Sequence, residues 1–438
     1  MAQSRLAIAV NNRKVLLISP QFPPTTLAGG HRARHLAKYL PRHGWTPTVI
    51  TVDERDYSEA LDVRLSDLVP SVTQIIKVRA LPASVTRLVG VSDLGLRSYG
   101  ALRKAIHKQI TVVEPDIVFI TGFPFYPMLL AGGIRKKEIP VVLDFQDPWI
   151  SRWGASQPAL SKAGLAHRLA TRFEPKAVAH ASAIMSVSEI QNDEMRQRYS
   201  WLRPDQLAAI PIGGDWDDFG SVVGGVPPAP QRDDQAPFVI SYVGTLGPRS
   251  SDLFRRLFEA TRLLREERPD LCARLRFRLV GTAAVTSESD KVVTPLAAEF
   301  GVADLVDEFP QRVPYLDALA VMATASGQLI VGSDEPHYTA SKIYPVLMAG
   351  RPFLSIFHQK SSSHQILQTT GGGIALSFND ENELRAMAPS IRAALELMMA
   401  TPDRLKPLDV KAVEPFTAPY IAKRCAELFE RTLVRRDN

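Results

Sequence analysis

The chain has 438 residues, 45% of them hydrophobic and 22% charged, with a formal net charge of +6. This composition excludes a disordered or fibrous chain and is enough for two domains with cores of their own. Two cysteines, Cys272 and Cys425, are too few for a disulfide framework or a cysteine-rich metal site, so a reducing cytoplasm is the expected location. Residues 1–10 hold one short apolar stretch, so neither a signal peptide nor a membrane-spanning helix is expected there.

In chain order, a compact apolar run at 14–19 predicts the first strand, followed by a Pro- and Gly-rich loop and a helix at 31–43. Further strands are predicted at 48–52, 74–78, 117–121, 141–145, 183–187 and 208–212, with helical segments mostly between them. This alternation means a parallel sheet covered on both faces. Residues 213–236 contain Gly213-Gly214, Gly224-Gly225 and Pro227-Pro228 without sustained periodicity and read as a linker. Alternation restarts with strands at 238–243, 277–280, 306–309, 328–331, 353–356 and 374–377. The expected architecture is α/β, two Rossmann-like doubly wound parallel-sheet domains facing a cleft: residues 1–215, a linker at 216–236, and residues 237–415. A final amphipathic helix lies at 416–438, with apolar spacing at Ile421, Cys425, Leu428 and Leu433 that fits core packing.

Positive charge is concentrated in the first half: residues 1–220 carry 27 Lys and Arg against 20 Asp and Glu, the remainder 25 against 26. Arg97, Arg103, Lys104 and Lys108 share one predicted helix, and Arg135, Lys136 and Lys137 end another. Such patches suit anionic lipid headgroups or a phosphate-bearing acceptor, and solvated helix faces explain them equally well.

Ligands in doubly wound sheets bind beyond the carboxyl ends of the strands. In the stretch 338–352, Ser341 and Lys342 fall at or near a predicted helix start, where amides, a hydroxyl and an ammonium suit a phosphorylated ligand; a capped helix with a solvated lysine is the alternative. Gly244, Thr245 and Gly247 follow another strand and let backbone approach a pyrophosphate, with Arg249 to neutralise it. Arg249 and Lys342 together would stabilise a diphosphate leaving group without a metal. Gly29 and Gly30 end the first βα loop, with His31, Arg32 and Arg34 as side-chain donors; a plain turn with surface arginines is the alternative. The loop lacks the spacing G-x-G-x-x-G, which weighs against a dinucleotide cofactor. Asp147, before Pro148, can bond a sugar hydroxyl or take a proton from an acceptor hydroxyl, or else cap the next segment. Trp149 and Trp153 could form an apolar sugar platform.

These loops resemble those of GT-B glycosyltransferases, within them the GT4-like group that builds bacterial surface polysaccharides. The resemblance spans nearly the whole chain. It rests on 14–19 with Phe22-Pro23-Pro24 and Gly29-Gly30, on 144–149, on Ile210-Pro211-Ile212-Gly213-Gly214-Asp215, on 242–247 and on 338–352. It implies a donor site of Gly244, Thr245, Gly247, Arg249, Gly281, Arg312, Val313, Glu335, Ser341, Lys342 and Ile343, with backbone amides near Gln311 and Val313 reading the base. Tyr315 or Arg312 could stack on that base or simply pack at a helix start. It also implies acceptor contacts from Gly29, Gly30, His31, Arg34, Phe123 and Trp149, catalysis by Asp147, Arg249 and Lys342, retention of configuration, and return of the last helix to the first domain.

One departure stands out. The family's pair of glutamates falls at His337 and Pro345. Glu335 could substitute, the ribose could be held differently, the nucleotide could be a deoxyribose one, or catalysis could be lost. Proline at 345 is tolerable within a first helical turn. The expected activity is sugar transfer from a nucleotide diphosphate sugar to a saccharide or polyprenyl-linked acceptor, with no cofactor or metal and no nucleic acid partner, in the cytoplasm or peripherally at the membrane's inner face. A nucleotide-sugar epimerase and a non-catalytic nucleotide-sugar-binding protein are the alternatives.

Overall fold

A computed structural model describes residues 12–59, 61–224, 235–246, 250–283, 290–332 and 340–437. The chain divides into two units, the first formed by residues up to 212 together with 418 onward, the second by 213–417.

The first unit is built on seven parallel strands, β1 (Arg13–Ile18), β2 (Trp45–Val52), β3 (Gln74–Val78), β4 (Ile117–Gly122), β5 (Val141–Phe145), β6 (Ala183–Ser186) and β7 (Leu207–Ala209), in the order β3-β2-β1-β4-β5-β6-β7. The apolar run of β1 reflects burial on both faces. Val15 and Leu17 enter one core while Leu16 and Ile18 enter the other, as the two-residue period of a strand requires. One face is covered by the helices Leu94–Val113 and Lys162–Val178, and the opposite face by Ala28–Tyr39 and the last helix, Ala418–Asp437. That last helix contributes Ile421, Ala422, Cys425, Leu428 and Phe429 to its core. Cys425 and Cys272 are buried free thiols.

The second unit carries six parallel strands, β8 (Phe238–Val243), β9 (Leu275–Val280), β10 (Val306–Phe309), β11 (Gly327–Val331), β12 (Phe353–His358) and β13 (Gly373–Phe378), ordered β10-β9-β8-β11-β12-β13. Its main core gathers Leu253, Phe254, Leu257 and Phe258 of helix Ser251–Glu267 against Ile391, Leu395 and Met398 of helix Ala388–Ala400. In both sheets the strand order reverses beside the first strand, between β1 and β4 and between β8 and β11, and loops at such switch points bind ligands.

Two sequence expectations need correction here. The segment expected as a linker contains the helix Trp216–Val223. Asp215 caps it by accepting from the Asp217 amide, Phe219 is buried, and Gly224 closes it at φ 73°. Its Asp218 accepts a 3.0 Å hydrogen bond from the Tyr315 hydroxyl, so Tyr315 ties two helices together. Arg97, expected in an exposed basic patch, is buried, donating to the carbonyls of Leu81 (2.9 Å) and Asp56 (3.3 Å). A buried guanidinium needs such acceptors, and the neighbouring turns supply them.

Phe429 meets Trp45 and Phe119 edge-on, with ring centroids 5.1 and 5.7 Å apart. Phe429→Ala is therefore expected to destabilise the first unit by about 3–5 kcal/mol in chemical denaturation, the range for truncating a buried aromatic.

Candidate active site

In the second unit the loops after β8, β9 and β10 are tied side by side by backbone hydrogen bonds. Gly244 N–H donates to Val280 C=O (2.9 Å), Leu246 to Thr282 (3.2 Å), Gly281 to Phe309 (2.8 Å) and Ala283 to Pro310 (3.0 Å). Gly244 turns at φ 138°, a conformation closed to residues with a Cβ. A side chain built there would lie 3.6 Å from Lys342 Nζ. Arg312 Nη2 donates to Thr245 Oγ1 (2.8 Å), and the Arg312 Cα lies 3.7 Å from where a Gly281 Cβ would be. Gly244, Thr245, Gly281, Arg312 and Lys342 thus converge at the β8/β11 switch point, and Val313 follows directly in the same loop.

Lys342 precedes the helix Ile343–Met348. Its ammonium donates to the Tyr242 hydroxyl (2.8 Å) and sits 4.3 Å from that ring's centroid. Burial pushes the Tyr242 hydroxyl far above its ordinary value, so it stays neutral beside the lysine. Ser341 is exposed, Ile343 is buried, and Pro345 is the third residue of the helix, where its missing N–H falls in the first turn as expected. With six residues the helix is short, so the lysine side chain, not a long helix dipole, supplies the positive charge. Gly247, Arg249 and Glu335 lie outside the described residues.

In the first unit, the loops after β1 and β4 meet at the other switch point. A Cβ on Gly29 would come 3.3 Å from the Phe123 carbonyl oxygen, and one on Gly30 would overlap Thr25 Cγ2 at 2.3 Å. These glycines let the first turn of helix Ala28–Tyr39 pack against the loop before it and the loop after β4. Phe123 is 48% exposed, with its ring edge-on to Phe125 at 5.8 Å. Trp149 is stacked on Phe125 (5.4 Å, 12°) and is buried, so the platform expected of it is unavailable; Trp153 is exposed instead. The aromatic stack beneath the loop gains more by excluding water than an open Trp149 would.

The arginines of helix Ala28–Tyr39 are not surface groups. Arg32 is fully buried, donates to the carbonyls of Pro211 (2.8 Å) and Ile210 (2.9 Å), and faces Asp144 at 3.5 Å. Burial raises the Asp144 carboxyl to about 6, against the opposing pull of Arg32 and a hydrogen bond from Gln146. Arg34 is buried beside His31 Nδ1 (3.4 Å) and His35 Nε2 (3.0 Å), which removes it from an open acceptor surface.

Asp147 is exposed, yet desolvation by the surrounding protein raises its pKa above the ordinary aspartate value. It does not cap the following helical turn, whose start is capped by Ser151. The loop is pinned on both sides. Gln146 bonds to Asp144, and Ile150 N–H donates to Glu174 Oε2 (3.1 Å). Glu174 is fully buried and also accepts from Tyr199 (2.8 Å) and Arg198 (3.2 Å). Sequence reasoning missed Glu174 and Tyr199, because an acid inside a predicted helix carries no local sign of a partner 25 residues away.

Glu308 was missed as well. Buried at the end of β10, it accepts from the hydroxyls of Thr282 (2.8 Å) and Thr294 (2.8 Å) and from the amides of Val292 (3.0 Å), Val293 (3.1 Å) and Thr294 (2.7 Å). It fixes the loop that holds Gly281. Among the described residues no helix is long and apolar enough to cross a membrane.

Residues 28–213 match the family of glycosyl transferase 4-like domains. The curated proteins contain no significant match to the sequence. Among solved structures, sucrose-phosphate synthase from Thermosynechococcus elongatus aligns over 97% of this chain and 100% of its own, at 13% identity and a TM-score of 0.60. The Anabaena protein HepE, solved with UDP-glucose, aligns over 94% and 98% at 16% identity and 0.56. An assigned UDP-N-acetylglucosamine 2-epimerase from Listeria monocytogenes aligns over 94% of both chains at 12% identity and 0.53. At these identities the likeness is one of fold, and that fold is GT-B.

The Glu308 geometry has a pH signature. Burial alone would raise its carboxyl, but the hydrogen bonds from Thr294, Thr282 and Val293 hold it below its ordinary 4.5. Its contribution to stability is then complete above the unfolded value and lost as pH falls through the lower folded one. Glu308→Gln is expected to cost roughly 2 kcal/mol near neutral pH, the scale of hydrogen bonds to a charged group. The deficit should shrink toward low pH in urea titrations.

Proposed function

We propose, on the match of residues 28–213 to glycosyl transferase 4-like domains, that the chain transfers a sugar from a nucleotide diphosphate sugar to a hydroxyl of a saccharide or polyprenyl-linked acceptor in the making of a surface polysaccharide or glycoconjugate. The observation that carries this reading is the convergence of Gly244, Thr245, Gly281, Arg312 and Lys342 at the switch point of the second sheet. Backbone turned by glycine, a hydroxyl and two cationic side chains are what a diphosphate requires. HepE was solved with UDP-glucose, which supports a nucleotide sugar as the ligand class to test first.

When the bond between the anomeric carbon and the diphosphate oxygen breaks, its electron pair goes to the diphosphate. Lys342 stabilises the charge that grows there. In this reading the Val313 backbone contacts the base, and the ribose is held without a carboxylate at Pro345. In the first unit Asp147 accepts a hydrogen bond or proton from the acceptor hydroxyl. Its raised pKa favours proton uptake near neutrality over an ordinary aspartate. Retention of configuration is the expected outcome.

The fold alone also accommodates epimerisation, the activity assigned to the Listeria protein; the glycosyl transferase 4-like match favours transfer. Product analysis separates the two, since transfer releases a nucleoside diphosphate and epimerisation returns a nucleotide sugar.

Lys342→Ala is expected to weaken UDP binding by about tenfold to a hundredfold in calorimetry, the equivalent of one charge-assisted hydrogen bond to the diphosphate. Unchanged affinity would remove Lys342 from the phosphate site. Asp147→Asn should keep nucleotide binding and lower transfer by about 10² or more, the contribution of a positioned acid–base group. In the parent protein the rate should rise with pH through a value above the ordinary 3.8 of an aspartate, and the variant should lack that limb.

A further inference from the structure

The second unit has a cavity at the edge of its sheet away from the donor loops. Those loops follow the carboxyl ends of β8, β9 and β10, whereas the cavity lies at the amino ends of β12 and β13, beside Phe353 and Gly372. The six residues of β12 put the two edges about 20 Å apart. Its volume is about 400 Å³, a size that suits a small organic molecule. Phe353, Leu405 and Leu408 supply apolar wall, and Arg351, Asp403 and Lys406 are its charged groups.

Backbone bonds hold the wall in place. The strap 402–408 is tied to the turn before β13, where Gly372 N–H donates to Lys406 C=O (3.0 Å), and just beyond it Asp409 N–H donates to Thr370 C=O (2.8 Å). Gly371 and Gly372, at φ 67° and 87°, let the strap close. A Cβ on the first would lie 2.7 Å from the Pro407 carbonyl oxygen, and one on the second 2.9 Å from Leu408 Cδ1.

Arg351 is 8% exposed, yet among the described residues it forms no ion pair. Its Nε (2.8 Å) and Nη2 both donate to the Ala323 carbonyl, a last-turn acceptor of helix Tyr315–Thr324. That contact uses two of the five N–H groups of a guanidinium and supplies no negative charge. Burial lowers the pKa of Arg351, with no carboxylate opposing it. The cavity's other cation, Lys406, is exposed and donates to Thr369 C=O (3.2 Å).

We propose that this cavity binds a small organic carboxylate, its carboxyl group on Arg351 and its apolar body against Phe353, Leu405 and Leu408. A guanidinium withdrawn from water without an acid is stabilised most by a planar anion that accepts two parallel N–H bonds. One desolvated cation balances one negative charge, and Asp403 in the wall repels a second, so a monoanionic carboxylate fits better than a phosphate dianion. The site shares no residue with the donor loops, and the inference does not depend on sugar transfer.

Ligand-detected NMR titration of the full chain near neutral pH, with benzoate, benzamide and phenyl phosphate as probes, tests this. Benzoate is expected to bind saturably and at least tenfold more tightly than benzamide, which lacks the charge, or phenyl phosphate, which carries a second one. Saturating UDP should not displace it. Arg351→Gln should weaken benzoate binding by about tenfold to a hundredfold, the equivalent of one charge-assisted hydrogen bond. Leu405→Trp, which fills the cavity and keeps Arg351, should weaken it at least tenfold while UDP affinity stays at the parent value. If Arg351→Gln loses the contact with its neighbouring helix and fails to fold, Leu405→Trp and the three-probe comparison on the parent protein decide the matter. Absence of saturable benzoate binding, equal affinity for benzamide or phenyl phosphate, displacement by UDP, or undiminished binding in Leu405→Trp would overturn the proposal. UDP binding without benzoate binding would do so and leave the transferase reading standing.

Discussion

A parallel sheet has two apolar faces, and leaving either in water is not an option for strands as hydrophobic as β1, β4 and β5. In the first unit one of those faces is closed by the helix Ala28–Tyr39 together with the last twenty described residues of the chain, whose Phe429 packs on Trp45 and Phe119. Everything displayed at the carboxyl ends of this sheet depends on that closure. The same core region contains Cys425, next to Met185 of β6, at 3.6 Å between sulfurs.

With the sheets closed, the loops at the switch points become the chemically useful part of each unit, and buried charges hold them in shape. Arg32 joins helix Ala28–Tyr39 to Asp144 and to the carbonyls of Ile210 and Pro211. Glu174 holds the Asp147 loop through Ile150, and Glu308 holds the Gly281 loop through Thr282. Each is an expensive group to bury, tolerable because most of its polar atoms meet groups that must be held anyway. Removing one partner would leave a charge stranded, so these residues make loop geometry depend on core stability.

The strand order was legible because buried strands are short unbroken apolar runs between turn residues. All thirteen predicted strands exist, with ends displaced by a few residues. The first helix and the convergence of Gly244, Gly281 and Lys342 were also legible, since post-strand loops in a doubly wound sheet must lie at one edge. The helix Trp216–Val223 was obscured by the glycines flanking it, although its Asp215 cap and Gly224 stop are an ordinary helix signature.

Period and punctuation along the chain therefore settle which segments are strands, which are helices, and which loops sit at the carboxyl edge. They do so because backbone hydrogen bonding and side-chain alternation are local. The fates of Arg32, Arg34 and Arg97, of Trp149 and of Glu308 were decided only by tertiary structure. Arg32 finds its acceptors 178 and 179 residues away. Whether a charge is buried or an aromatic face is open is set by such distant partners, and no local pattern contains them.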